Sequence, residues 1–147
     1  MRFICCVLLF MISCNSEKKT KINLVERKLV LNIPDSLELK DTLNGYVEYK
    51  NHIESLDVKN IQTKFTFLYL TKSDSIINSL DELKKIPLDT FVQIENNIFP
   101  IYDLTFDKRG TYYLQGYIED QYFINHVKDS TKIIYGTTEI NHILKVY

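Results

Sequence analysis

Not one of the 147 residues is alanine, while ten are tyrosine and eight are phenylalanine. Alanine is the strongest helix former because it loses no side-chain entropy in a helix. Aromatic and β-branched side chains instead favour a pleated, half-buried surface. The chain is therefore constrained toward strands. An AT-rich genome would produce a similar skew, so the order of the residues carries more weight than their numbers.

That order alternates. Leu29, Leu31 and Ile33 alternate with Val30 and Asn32 until Pro34-Asp35 ends the run, which reads as a strand. Leu43, Gly45, Val47 and Tyr49 form the inner side of a second strand, with Asn44, Tyr46, Glu48 and Lys50 opposite. Gly45 in its middle predicts a bulge or a close approach by a neighbour. Phe65 to Leu70 is apolar on both sides and reads as a central strand. Thr90 to Glu95 and Ile101 to Phe106 are further strands, separated by Asn96-Asn97 and Pro100. After a turn at Lys108 to Gly110, Tyr112, Leu114, Gly116 and Ile118 share one side, and Tyr113, Gln115, Tyr117 and Glu119 the other. A last strand runs from about Thr138 to Tyr147, with Ile140, Leu144 and Val146 inward. The single helix signal is Ser79-Leu80-Asp81-Glu82, a capping box that satisfies the free amides of a helix start. Pro87 stops that helix within two turns. About seven short strands and one short connector helix predict an all-β, antiparallel β-sandwich or barrel.

Basic and acidic residues nearly balance, at 18 against 19. That argues against a nucleic-acid partner, which draws on a basic excess. No late stretch approaches the ~18 apolar residues of a membrane-spanning helix.

The first residues have a different character. Arg2 is followed by an unbroken apolar run of ten, Phe3 to Ile12. A helix of that length rises only ~15 Å, about half of a ~30 Å hydrocarbon core, so the run suits a signal-peptide core better than a membrane span. It closes on Met11-Ile12-Ser13-Cys14, which resembles the lipobox of bacterial lipoproteins. The resemblance implies that residues 1–13 are a signal peptide removed by cleavage. Cys14 would become the first residue and carry acyl chains such as palmitate. Residues 14–26 would form the lipidated N-terminus and a flexible tether, and residues 27–147 the sandwich domain. Asn15 stands where an Asp would imply inner-membrane retention. Ser16-Glu17-Lys18 is faintly similar to the export tag of some surface lipoproteins, so the resemblance implies the outer membrane ahead of the inner, periplasmic or surface-facing. All three cysteines, Cys5, Cys6 and Cys14, lie in this region. An acylated Cys14 would leave the domain without a disulfide and without a thiol for catalysis or metal.

Gly110-Thr111-Tyr112-Tyr113-Leu114 is similar to the tyrosine corner of immunoglobulin-like and fibronectin-like sandwiches, in which a Tyr near the start of strand F bonds back to the main chain. The resemblance implies that Gly110 makes the turn, Tyr112 makes the bond and Leu114 takes the core position two residues on. Asp107 lies three residues before Gly110 rather than two, which departs from the commonest pattern. The usual core Trp of strand C is missing, and Phe67 or Tyr69 is expected in its place. Other Greek-key sandwiches remain open as alternatives.

Little in the chain points to chemistry. There is no Gly-x-Ser-x-Gly elbow, and no His-Glu-x-x-His spacing among His52, His126 and His142. His126 and His142 would meet only if the last two strands paired suitably. Asp103 with Asp107, or Glu119 with Asp120, offers oxygen ligands without the alternating acids of a calcium loop. No enzyme activity, metal or cofactor is expected. Tyr113, Gln115, Tyr117 and Glu119 form an aromatic and polar strand face that is the candidate binding face. The alternatives for it are cross-strand packing, an envelope protein and a glycan. The expected function is that of a membrane-anchored envelope lipoprotein with a non-catalytic binding or structural role, through protein contact ahead of glycan binding, and with hydrolysis a more remote reading.

Overall fold

The structure, a computed structural model, describes residues 24–53, 61–95, 97–126 and 130–147. The alternation seen in the sequence becomes eight strands and one turn of helix: β1 (Leu24–Asn32), β2 (Ser36–Leu37), β3 (Thr42–Ile53), β4 (Ile61–Ser73), α1 (Leu80–Leu83), β5 (Asp89–Val92), β6 (Ile98–Thr105), β7 (Gly110–His126) and β8 (Ser130–Val146). They form a three-stranded sheet in the order β1-β3-β6 and a five-stranded sheet in the order β2-β8-β7-β4-β5. The five-stranded sheet is curled into a half-barrel. Among the described residues no helix is long and apolar enough to cross a membrane.

The inward rows of both sheets make the core. Leu43, Val47, Phe99 and Ile101 come from the smaller sheet, and Leu68, Leu70, Leu114, Ile118, Ile140 and Leu144 from the larger. The expected inward residues of the last strand, Ile140, Leu144 and Val146, are all buried. Full burial of such a side chain stabilises by roughly 1.5–3 kcal/mol each. Phe67 and Tyr69 do not substitute for a core Trp. Strand parity turns them outward, and Leu68 and Leu70 occupy the core positions of β4.

Three departures from the sequence pattern have clear causes. β1 starts at Leu24, ahead of the expected boundary at residue 27, because it pairs with the end of β3 at Leu24↔Ile53. Ser36–Leu37 pairs in parallel with β8 at Ser36↔Lys145 and Leu37↔Val146, so the fold is not wholly antiparallel. That strand is tied by Lys145 N–H to Asp35 O at 2.9 Å and Leu39 N–H to Tyr147 O at 2.8 Å. Pro100 lies inside β6 rather than before it, opposite Tyr46. β6 is the outer strand of its sheet, where a residue without an N–H is tolerated.

β7 and β8 are the longest elements, at 17 residues each, and pair from Gly110↔Val146 to His126↔Ser130. Their far ends carry a second apolar cluster, Tyr122, Ile124 and Ile134 with Ile61. β1 enters the fold at this same end, since Leu24, Ile53, Ile61, His126 and Ser130 are all terminal rungs there.

Candidate functional site

Cross-strand register puts Tyr113, Gln115, Tyr117 and Glu119 on the outer side of β7, facing Ile143, Asn141, Glu139 and Thr137 on β8. On the other flank they face Ser73, Thr71, Tyr69 and Phe67 of β4. The four residues do share one face. They do not share one environment.

Gln115 is only 1% exposed and Tyr117 only 8%. The segment between β4 and β5, residues 74–88, lies over them. The Gln115 amide clamps it at one residue: Ile77 N–H donates to Oε1 at 2.8 Å, and Nε2 donates to Ile77 O at 3.0 Å. Helix α1 then begins at Ser79, whose Oγ accepts Glu82 N–H at 3.2 Å. The helix buries Leu83, and Lys84 Nζ sits 5.2 Å above the Tyr117 ring. The helix is a single turn, shorter than the capping signal allows. Its role is to carry one apolar residue onto the sheet. The Tyr117 hydroxyl is held above its ordinary pKa by burial and then by the charge of Glu119, and Tyr69 by the same causes in the same order. Two of the four candidate residues are therefore enclosed by the chain itself, with the Gln115 amide spent on the main chain.

The open part of this face lies farther along, toward the end where β1 enters. Phe123 faces Ile133, Gln121 lies between Tyr135 and Phe65, and Phe67 faces Val92. Phe65, Tyr135, Ile133 and Val92 are 48%, 53%, 40% and 57% exposed. The rings run as a continuous ladder. Phe65 meets Phe123 edge-on at 5.6 Å and stacks on Phe67 at 6.5 Å, Phe67 meets Tyr69 at 6.3 Å, and Tyr69 meets Tyr117 at 4.9 Å. Such pairs support a sheet by roughly 0.2–1 kcal/mol each, yet packing alone does not require the outermost rings to face water. The sequence signal for this patch was Phe65 to Leu70 reading as apolar on both sides. That pattern identifies a strand whose outer face is also meant to be covered.

Behind the patch, on the inner side, is a buried polar knot. Asp120 is fully buried. Its Oδ2 accepts from Tyr49 Oη at 2.8 Å and from Asn51 Nδ2. Its Oδ1 accepts from Thr66 Oγ1 at 2.7 Å and pairs with Lys64 Nζ at 3.0 Å. Asn51 Nδ2 also donates to Tyr122 Oη at 2.6 Å. Lys64 Nζ is 5.5 Å from the Tyr122 ring and 6.0 Å from the Tyr49 ring. The knot joins β3 of one sheet to β4 and β7 of the other. It separates the main core from the smaller cluster. Burial, and next the Asp120 charge, raises the Tyr122 hydroxyl well above its usual pKa. Burial also raises Tyr49, with Asp120 adding to it and the Thr138 hydrogen bond opposing it. Asn51 Oδ1 is the one buried side-chain nitrogen or oxygen among the described residues without a hydrogen-bond partner.

The side-chain groupings weighed and disfavoured from the sequence can now be placed. β7 and β8 form the hairpin that would have joined His126 and His142, but His142 faces Leu114 and His126 faces Ser130. His142 Nε2 instead lies 3.1 Å from Pro34 O, and His52 and His126 have no described side chains. Glu119 and Asp120 point to opposite sides of β7, so they share no loop site. Among the described residues there is no group of three or more His, Cys, Asp or Glu able to hold a metal. At the turn before β7, Tyr112 Oη donates to Lys108 O at 3.0 Å, and Leu114 is fully buried. Gly110 has φ 151°, a conformation that suits glycine. Cys14 and the segment around it lie outside the described residues.

The chain matches no protein-family model, and no curated protein matches it.

Proposed function

We propose that this chain is a lipid-anchored lipoprotein of the bacterial cell envelope, with a non-catalytic binding or structural role exercised through an immunoglobulin-like sandwich. One observation carries the anchor: Met11-Ile12-Ser13-Cys14 closes an apolar run of ten residues behind Arg2. Acyl chains on Cys14 hold the domain within a tether's length of a membrane. Weak contacts with an envelope protein then gain from high effective concentration. Asn15 after the cysteine favours the outer membrane over the inner.

The strand order supports the immunoglobulin-like reading. Taking β1, β3 and β6 as strands A, B and E puts them in one sheet, and β4, β7 and β8 as C, F and G in the other, as that fold requires. β2 continues strand A across to G, and β5 follows C. Strand D has no counterpart among the described residues. The hydrogen bond from Tyr112 to Lys108 falls at the passage from E to F, where a tyrosine corner belongs.

Two experiments test these readings separately. Cys14→Ser should move the protein out of the membrane fraction and abolish its labelling by a fatty-acid analogue. Retention of both label and membrane fraction would sink the anchor. Tyr112→Phe should cost about 1 kcal/mol, the net value of one hydrogen bond, and an unchanged denaturation midpoint would argue against the corner. Crosslinking in intact cells identifies the partner: envelope proteins are the expected neighbours, and exclusively cytoplasmic ones would contradict the location.

A further inference from the structure

The open aromatic patch and the entry point of the tether lie at the same end of the molecule. Leu24 pairs with Ile53 at the end of β3, and Ile61↔Ile124 and His126↔Ser130 close the larger sheet at that end. Phe123 and Ile133 lie three residues inside those last rungs, and Phe65 and Tyr135 no more than five. Contiguous apolar surface of this kind is rare on a soluble monomer and marks a surface that is covered in use.

We infer that the outer face of the five-stranded sheet, through Phe65, Phe67, Val92, Phe123, Ile133 and Tyr135, rests on the surface of the phospholipid bilayer in which Cys14 is anchored. The inference rests on the lipid-anchor reading and adds an orientation to it. Three considerations choose a lipid surface as the occupant. The first is reach. The ten residues from Cys14 to Leu24 span at most ~35 Å, whereas the sheets of a sandwich lie only ~10 Å apart. The tether can thus pass from an acylated Cys14 to β1 while the patch on the opposite sheet rests on the membrane. The second is chemistry. Tyr and other amphipathic rings concentrate at the headgroup level of a bilayer, and the patch combines one exposed Tyr with Phe, Ile and Val side chains. The third is charge. Among the described residues, the rungs that carry the patch have no outward Lys or Arg and a single outward acid, Glu119, which already accepts from Gln121 Nε2 at 2.9 Å. The contact is therefore one of apolar insertion rather than attraction to anionic headgroups, and it should be insensitive to salt.

The absence of tryptophan makes the test clean, because an introduced Trp reports alone. Phe65→Trp and Tyr135→Trp place the probe in the patch. Tyr102→Trp places it on an exposed position of the other sheet. The full lipidated protein is reconstituted in phosphatidylcholine vesicles with and without lipids brominated along the chain. Trp at 65 and 135 should be quenched roughly threefold more than Trp at 102, as expected for rings at headgroup depth, in low and in high salt. Vesicle flotation with equal quenching at all three positions would overturn the docking while leaving the anchor intact. Failure to float, together with a mass lacking acyl chains, would overturn the anchor and the docking with it. A blue shift at 65 that follows protein concentration, without quenching, would assign the patch to a second copy and also overturn the inference.

Discussion

The two sheets present opposite kinds of outer surface. On the three-stranded sheet, Lys28 pairs with Glu48 at 3.3 Å and Asn32 Nδ2 donates to Tyr46 Oη at 2.6 Å. These groups are exposed and their hydrogen bonds run between neighbouring strands, so this face mixes charged and amide groups with its exposed Val30, Tyr46 and Tyr102. On the five-stranded sheet the outer rungs are aromatic and aliphatic. Part of that face is roofed by residues 74–88, and the rest is open. The difference shows that one sheet carries two buried faces' worth of apolar side chains on a single layer. Among the described residues only 74–88 cover this face, beside Gln115 and Tyr117, and the inferred bilayer contact would cover the remainder.

The largest expected effect comes from breaking the larger sheet at Gly116, where β4 leaves no room for a side chain. A Cβ at Gly116 would collide with Tyr69 O and stand 2.9 Å from Leu70 Cα. These are backbone atoms that cannot swing away. Gly116→Ala should therefore cost about 3 kcal/mol or more, at the upper end of overpacking, read as a fall in the denaturation midpoint.

Next in size is the alkaline response of the knot that ties the two sheets together. The folded-state pKa values of Tyr49 and Tyr122 lie above the ordinary tyrosine value of 10.0. The native state thus holds its protons longer than the unfolded chain, and stability must fall as pH rises above that value. The midpoint should be flat between neutral pH and about pH 9, then decline. Tyr122→Phe should flatten that decline, and an unchanged alkaline limb in the variant would count against the buried arrangement.

Gln115→Ala removes both bonds to Ile77 and leaves a main-chain donor and acceptor without partners. It should cost about 2 kcal/mol and should expose Tyr117, seen as faster hydrogen exchange confined to residues 74–88. Uniform exchange across the sheet would contradict the roof. The smallest effect belongs to the three-stranded sheet. Lys28→Ala should change stability by less than about 0.5 kcal/mol, as for most exposed ion pairs. A larger loss would erase the contrast between the faces.

How far the sequence discloses this arrangement depends on the range of the signal. Strand interiors were legible because parity is local: Leu43, Val47, Leu114, Ile118, Ile140 and Leu144 all alternate as they are buried. The turn bond from Tyr112 to Lys108 was legible because it spans only four residues. β2 was not, since two residues paired in parallel with the far end of the chain carry no periodicity of their own. The length of β7 and β8 was missed because Asp120 and Gly136 interrupt the apolar inner row. They face each other across the hairpin, and Asp120 is satisfied by Tyr49 on the other sheet, 71 residues away. The candidate face was half legible. Alternation assigned Tyr113, Gln115, Tyr117 and Glu119 to one side, but only the fold reveals that residues 74–88 cover its middle. The open patch is assembled from β4, β5, β7 and β8, which no single stretch of sequence displays.

The most direct test of the central claim is the intact mass and N-terminal peptide of the protein extracted from the membranes of its own cells. A chain beginning at Cys14, heavier than its 134 residues by acyl groups, is the expected result. A chain that retains residues 1–13, or begins elsewhere with an unmodified cysteine, would contradict it.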